Sequence, residues 1–347
     1  MAACWVTLYH LRETFIALFG TVPLKGIADI GYLGVDLFFV LSGFILVWNY
    51  QSKLVDGVSL RSFATFIGLR LARIYPVHFA VMVVLACAVT VAHGAGVQLG
   101  ANAWSVRDFV LNILLIHAWN TTDALSWNTP SWSISAEWFA YLLFPFMPRL
   151  LARAPGLTAP LALVLAPIAL GWFVYEHLGQ STIDLTFDGA LVRVAVAFVL
   201  GVALGRARIS ATYGRVAADA ACVVSVAGLM GVAYGNAPDV LALPCFGILV
   251  YALSLEGGML ARLLGHRALV YGGLISYSWY MIHALVLMAE DRFAVALGVR
   301  AWSPAMRSAF VAQEVAVMAL LAGLLYRFVE EPARRYLQAR LSARVAR

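Results

Sequence analysis

Apolar runs recur along the whole chain, separated by short polar and basic connections. A membrane-crossing helix needs about 20 predominantly apolar residues. Stretches near that length fall at about 1–20, 30–50, 66–92, 131–148, 157–177, 188–205, 215–234, 239–256, 268–288 and 308–328. The pattern predicts an all-α fold, a polytopic transmembrane helical bundle of about ten spans. A shorter apolar patch at 107–118 is under length and reads as an interfacial or re-entrant segment. The expected organisation is one membrane-embedded domain over 1–335 followed by a basic tail over 336–347.

Composition strengthens this reading. The 347 residues are 63% hydrophobic and 12% charged, whereas a soluble domain carries about 25% charged residues. No sizeable soluble domain fits. Cys4, Cys87, Cys222 and Cys245 lie in apolar segments and form no C-x-x-C pair, so no metal site is expected. The net charge of +6 is read as a device for setting orientation, not as a nucleic-acid footprint. Lys53, Arg61, Arg70, Arg73, Arg149, Arg153, Arg206, Arg208, Arg215, Arg262, Arg267 and the basic residues from Arg327 onward fall on one side of the predicted spans. Lys25, Arg107, Arg292, Arg300 and Arg307 fall on the other. That asymmetry puts both termini in the cytoplasm. Counting 107–118 as a crossing would break it.

Against this background a few polar residues need a reason. Asp36 sits in Gly-Val-Asp-Leu-Phe-Phe-Val-Leu-Ser-Gly-Phe, residues 34–44. A carboxylate at membrane depth costs about 2.5–3.5 kcal/mol on insertion scales, which makes it a functional suspect or a helix-packing ion pair. Gly34 and Gly43 permit close helix approach, and Ser42 could bond a carbonyl of its own helix. His10 suits general-base work near neutral pH, or sits at a helix end bonding headgroups. Arg70 and Arg73 share a helix face, as a phosphate clamp or as arginines snorkelling to headgroups.

Glu137 lies among Trp127, Trp132, Trp138 and Tyr141, as a sugar-binding or base-orienting group or within an interfacial aromatic belt. Tyr280 and His283 are i,i+3 neighbours expected to bond polar groups on other helices. Glu330-Glu331-Pro332 reads as a helix terminator with surface ion pairs. His93, His117, His177, Asp184 and Asp188 fall at span ends or outer loops and need no special role. Arg193, inside a span, must face the bundle or snorkel outward.

In order, Leu-Tyr-His10, Gly34–Phe44, Arg70-Leu-Ala-Arg73-Ile-Tyr-Pro76, Ser131-Trp-Ser-Ile-Ser-Ala-Glu137-Trp-Phe-Ala-Tyr141, Ser276-Tyr-Ser-Trp-Tyr-Met-Ile-His283 and Glu330-Glu-Pro332 resemble the acyltransferase-3 family. The family comprises integral-membrane O-acyltransferases of bacterial surface glycans, and the resemblance covers essentially the full chain. It implies transfer of an acyl group, most often acetyl, from acyl-CoA (acetyl-CoA) as co-substrate to a glycan or lipid-linked saccharide hydroxyl at the inner membrane. It implies no permanently bound cofactor.

On the same resemblance His10 is the catalytic base, with Glu137 beside it as a catalytic or support residue, and Arg70 and Arg73 hold acyl-CoA. Asp36, Ser42, Trp132, Tyr280 and His283 bind substrate or support the site. The partners are the lipid bilayer, acyl-CoA and the saccharide, with no nucleic acid and no metal. The family's first helix carries an Arg about three turns before its His, a position that here precedes Met1. The expectation is a first helix cut short, with the true start upstream. A transporter or flippase would also bury charges along a path, and a degenerate family member that only binds would keep the motifs; both alternatives stand at this point.

Overall fold

A computed structural model describes residues 1–54, 57–97, 100–148, 158–179, 182–209, 215–255 and 258–345. Among them the chain is helical and holds no strand. It runs through α1 (Ala2–Phe19), the short α2 (Lys25–Asp29), a 3-10 turn at Gly31–Leu33, α3 (Gly34–Leu54), α4 (Leu60–Gly94), α5 (Val106–Ile113) and α6 (Trp132–Leu143). It continues with α7 (Thr158–Leu178), α8 (Ala190–Ile209), α9 (Arg215–Tyr234), α10 (Ala242–Ser254), the short α11 (Met259–Leu264), α12 (Arg267–Ala296) and α13 (Pro304–Leu325). A π turn, Tyr326–Glu330, joins α13 to α14 (Glu331–Val345). Arg149 and Arg153 lie outside the described residues, as do Arg347 and the ends of some predicted spans.

Seven of these helical stretches are long and apolar enough to cross a bilayer: α3 with its preceding turn, α4, α7, α8, α9, α12 and the continuous α13–α14. The chain is therefore a polytopic membrane protein, with the expectation of about ten spans corrected to about seven. The other three predicted spans fail for separate reasons. α1 has the length, but its middle carries His10, Arg12 and Glu13. α6 stops after 12 residues, where the chain tightens into a 3-10 turn at Phe144–Phe146 around Pro145. The 239–256 segment yields only Asp239–Ser254. At 107–118 the structure forms the eight-residue α5, too short to cross.

Two boundaries also move. Ser59 and Ser62 form a reciprocal capping box that starts α4 six residues before the predicted span. At the other end Pro332 does not stop the helix. A π turn immediately precedes it, and α14 continues through the region read as a basic tail.

Small residues bring the central pair together. Gly43 on α3 lies against the backbone of Phe198 and Val202 on α8, and Gly201 on α8 lies against that of Val40 and Phe44. A Cβ at either glycine would collide with the partner's carbonyl, so this approach requires glycine on both helices. Phe39, Phe44, Phe144, Phe198 and Phe246 pack around the pair as the buried core.

Candidate active site

Two cavities meet in the middle of the bundle. One, of about 340 Å³, is lined by Ser42, Arg70, Arg73, Glu137, Tyr277 and Tyr280 among others. The second, of about 150 Å³, is lined by Tyr9, His10, Tyr32, Trp132, Asp184 and Tyr280 among others. Val35 and Tyr280 line both. The cavity bearing the two arginines and the one bearing the histidine therefore adjoin at a shared wall.

In the arginine-side cavity Glu137 is the hub. Ser42 Oγ donates to its Oε1 at 2.6 Å and the Tyr141 hydroxyl donates to the same oxygen at 2.7 Å. Ser42 thus bonds across to α6, and not to a carbonyl of its own helix. Arg70 donates to the Tyr50 hydroxyl at 3.0 Å, and its guanidinium packs against the Tyr50 and Phe66 rings. Arg70 forms no ion pair with a carboxylate among the described residues, and its Nε has no partner.

Arg73 differs. It is ion-paired to Glu330, whose other oxygen accepts from Ser278 Oγ at 2.7 Å. Glu330 is buried, which corrects its reading as a surface residue; only Glu331, paired with Arg335, forms the expected surface bridge. The two arginines share a face, yet only Arg70 offers the cavity a guanidinium uncommitted to a carboxylate.

On the other side His10 is exposed toward its cavity, and its ring lies 5.0 Å from that of buried His283. His283 Nδ1 is 2.6 Å from the Tyr280 carbonyl, which fixes the proton on Nδ1 and leaves Nε2 a bare acceptor without a hydrogen-bond partner. His283 thus bonds within its own helix, contrary to expectation. Tyr280 does reach another helix region, with its hydroxyl 2.9 Å from Ser133 Oγ and donating to the Pro130 carbonyl at 3.0 Å. Trp279 Nε1 donates to Thr7 Oγ1 at 2.8 Å, tying α12 to α1 beside the two histidines.

Asp36 lines neither cavity. It is fully buried and forms a two-bond fork with Arg193, Nε to Oδ1 at 2.9 Å and Nη2 to Oδ2 at 2.7 Å. The carboxylate that stood out in the sequence is a packing residue that locks α3 to α8, the pair its glycines bring close. Arg193 faces the bundle, with Trp132 against its guanidinium at 5.2 Å. The same guanidinium donates to the Leu185 carbonyl at 2.9 Å and to Asp184 at 3.3 Å.

Asp184, dismissed on sequence as a span-end residue, therefore belongs to the site. It lines the His10 cavity and accepts from the Tyr9 hydroxyl at 3.4 Å. Its signal would have been the nine-residue spacing to Arg193, which puts a loop carboxylate within reach of a buried cation.

The connection from α5 to α6 walls the His10 cavity through Leu125, Thr129 and Pro130. Leu115, Asn120 and Trp127 adopt left-handed backbone at φ 57, 56 and 55°, a conformation that costs non-glycine residues free energy. Cross-bonds hold it: Ser135 Oγ donates to the Leu115 carbonyl at 2.9 Å, and Trp127 Nε1 to the Ser105 carbonyl at 2.9 Å. His117, also read as unremarkable, is buried with its Nε2 at 3.1 Å from Ser131 Oγ. Burial pushes its imidazole down to about 3. No group of three or more His, Cys, Asp or Glu side chains converges as a metal cage among the described residues.

The fold and the two cavities define an integral-membrane helical bundle with an arginine-bearing cavity beside a histidine-bearing one. Comparison with known proteins supplies the family. Residues 1–326 match the model of the acyltransferase-3 family, described as an acyltransferase domain, and the chain belongs to that family. It is 30% identical to "Acyltransferase MdmB" of Streptomyces mycarofaciens over 347 aligned residues, covering 92% of this chain and 85% of that one. It is also 44% identical over 86 residues to "Protein 2 in picA locus" of Rhizobium radiobacter, covering 25% of this chain and 39% of that one. No solved structure matches. The chain is a multi-pass membrane acyltransferase, not a transporter by family.

Proposed function

We propose that this protein moves an acyl group, with acetyl the first choice, from acyl-CoA to a hydroxyl of an exported or surface glycan. The observation that carries the reading is the shared Val35–Tyr280 wall between the arginine-side and His10-side cavities. In this reading the basic side of the chain faces the cytoplasm, and the membrane is the bacterial inner membrane. Arg70 takes a coenzyme A phosphate through its planar donor fork, with Arg73 held by Glu330 as its structural neighbour.

The thioester extends through the cavity toward Tyr280. The acceptor hydroxyl enters beside His10, and a neutral imidazole removes its proton as the oxygen attacks the thioester carbonyl. The C–S bond then breaks, and the departing thiolate takes up that proton. Asp184, on the same cavity and near His10, balances the imidazolium formed in between. Glu137, on the donor side with Ser42 and Tyr141, orients the donor and is not the partner of His10.

The test is label transfer. Membranes containing the chain are given radiolabelled acetyl-CoA and the host's surface glycans. Wild type should move label into glycan, and His10→Ala should reduce transfer by at least about 100-fold, the usual scale of general-base loss. Undiminished transfer in His10→Ala would overturn the assignment.

A further inference from the structure

A third cavity, of about 210 Å³, lies at the end of the bundle away from Arg70 and Arg73, lined by Thr14, Leu18, Asp291, Gly298, Arg300 and Glu314 among others. Thr14 is one helical turn beyond His10 on α1 and Leu18 two turns beyond, so the cavity begins about 6 Å from His10 along the helix axis and reaches about 12 Å. It opens through Asp291 and Arg300, which are both exposed.

Its polar wall is unbalanced. Glu314 is 1% exposed, and its Oε2 has no hydrogen-bond partner. Asp291 is a second carboxylate, at the mouth, and buried Glu290, which does not line the cavity, accepts from Gln313 Nε2 at 3.0 Å. None of the three forms an ion pair with Arg300 or with any other described residue. Burying a carboxylate without a counter-charge is costly. A metal ion would need a converging set of ligands, and no group of three or more candidate ligands is gathered among the described residues. An ammonium group needs less: one or two carboxylate oxygens and a hydroxyl such as that of Thr14. The remaining lining, Ala17, Leu18, Ala294 and Val295, suits the carbon skeleton carrying such a group.

We propose that this cavity is a subsite for a cationic amine carried by the acceptor, held by Glu314 and Asp291 while the acceptor hydroxyl lies at His10. The inference rests on the acceptor entering beside His10. It defines a class of acceptor: a hydroxyl compound with an ammonium group about 6–12 Å from the acylated oxygen, the span set by one to two helical turns.

The probe is hexylammonium, with hexanol as its neutral counterpart, titrated calorimetrically into the full detergent-solubilised chain. Wild type should bind hexylammonium saturably and at least about tenfold more tightly than hexanol. Glu314→Gln, nearly isosteric, and Asp291→Asn, at an exposed position, should each weaken the amine at least about threefold and leave hexanol unchanged. In the label-transfer assay hexylammonium should compete with the acceptor in wild type but not in Glu314→Gln. Equal binding of amine and alcohol, or amine binding unchanged in both variants, would overturn the subsite and mean that Glu314 is simply protonated. Competition against acyl-CoA and not the acceptor would equally overturn it. Absence of all acyl transfer in wild type would instead sink the proposed function while leaving the calorimetric result to judge the cavity.

Discussion

Replacing Arg193 by Met removes the cation from the most deeply buried ion pair among the described residues, with both side chains at 0% exposure. Both of the bonds Asp36 receives from a side chain come from Arg193, so the variant leaves a carboxylate buried and uncompensated. Breaking a buried pair from one side costs about 3–5 kcal/mol. The reverse change, Asp36→Asn, is milder. Arg193 keeps Asp184, the Leu185 carbonyl and the Tyr32 carbonyl as acceptors, and Asn still offers one acceptor. We expect its cost near the lower end of that range or below.

The double variant should cost much less than the sum, with a coupling energy of about 2 kcal/mol or more. Arg193→Met strands the Asp36 carboxylate, Asp36→Asn takes away the fork of Arg193 while leaving it Asp184, and the double change leaves neither charge in place. The assay is reversible unfolding in mixed micelles, read by helical signal across a denaturing-detergent titration for all four proteins. Strictly additive losses, agreeing within about 0.5 kcal/mol, would refute the reasoning. So would Asp36→Asn costing more than Arg193→Met.

Arg70→Ala should raise the KM for acyl-CoA by about tenfold, the worth of one charge-assisted bond, with the acceptor KM unchanged. A rise confined to the acceptor would contradict it. Arg73→Ala strands buried Glu330 and should lower stability by about 3 kcal/mol, with Arg73→Ala/Glu330→Gln recovering most of the loss in the unfolding assay. Glu137→Gln keeps an acceptor for Ser42 and Tyr141 and should be milder in acyl transfer than His10→Ala; equal losses would put Glu137 in the chemistry. His117 gives a pH prediction. Its folded-state value near 3 lies below the ordinary value of about 6.5 in the unfolded chain, so the unfolded state binds the proton first as pH falls. This contribution to stability is complete above about 6.5 and is lost toward about 3, at up to about 1.4 kcal/mol per pH unit. His117→Gln should flatten the acid slope, and an unchanged slope would contradict the assignment.

The membrane class and most of the helices were legible in the sequence because apolar length alone decides them. The span count was not. α1, α6 and the Asp239–Ser254 segment look apolar by composition, but α1 has a polar middle, and α6 and Asp239–Ser254 stop short of crossing length. The identity of most site residues was legible as a set, but their jobs were not. Asp36 was conspicuous as a charge in an apolar run, open to a functional or an ion-pairing role, and what decides is a partner 157 residues away on α8. Arg70 and Arg73 look equivalent on one helix face until Glu330, 257 residues from Arg73, claims one of them. Asp184 was invisible because loop-end carboxylates are common, whereas Glu314, midway along α13, carried the same signal of a charge at membrane depth as Asp36 and was passed over until its cavity singled it out.

The central claim is that the donor and acceptor meet from opposite sides of the Val35–Tyr280 wall. The direct measurement uses proteoliposomes holding the protein in one orientation, with labelled acetyl-CoA on the Arg70 side and the glycan acceptor on the His10 side. The account predicts labelled acceptor in this arrangement, and none when both substrates are confined to the His10 side. Transfer with acetyl-CoA supplied only on the His10 side would contradict it.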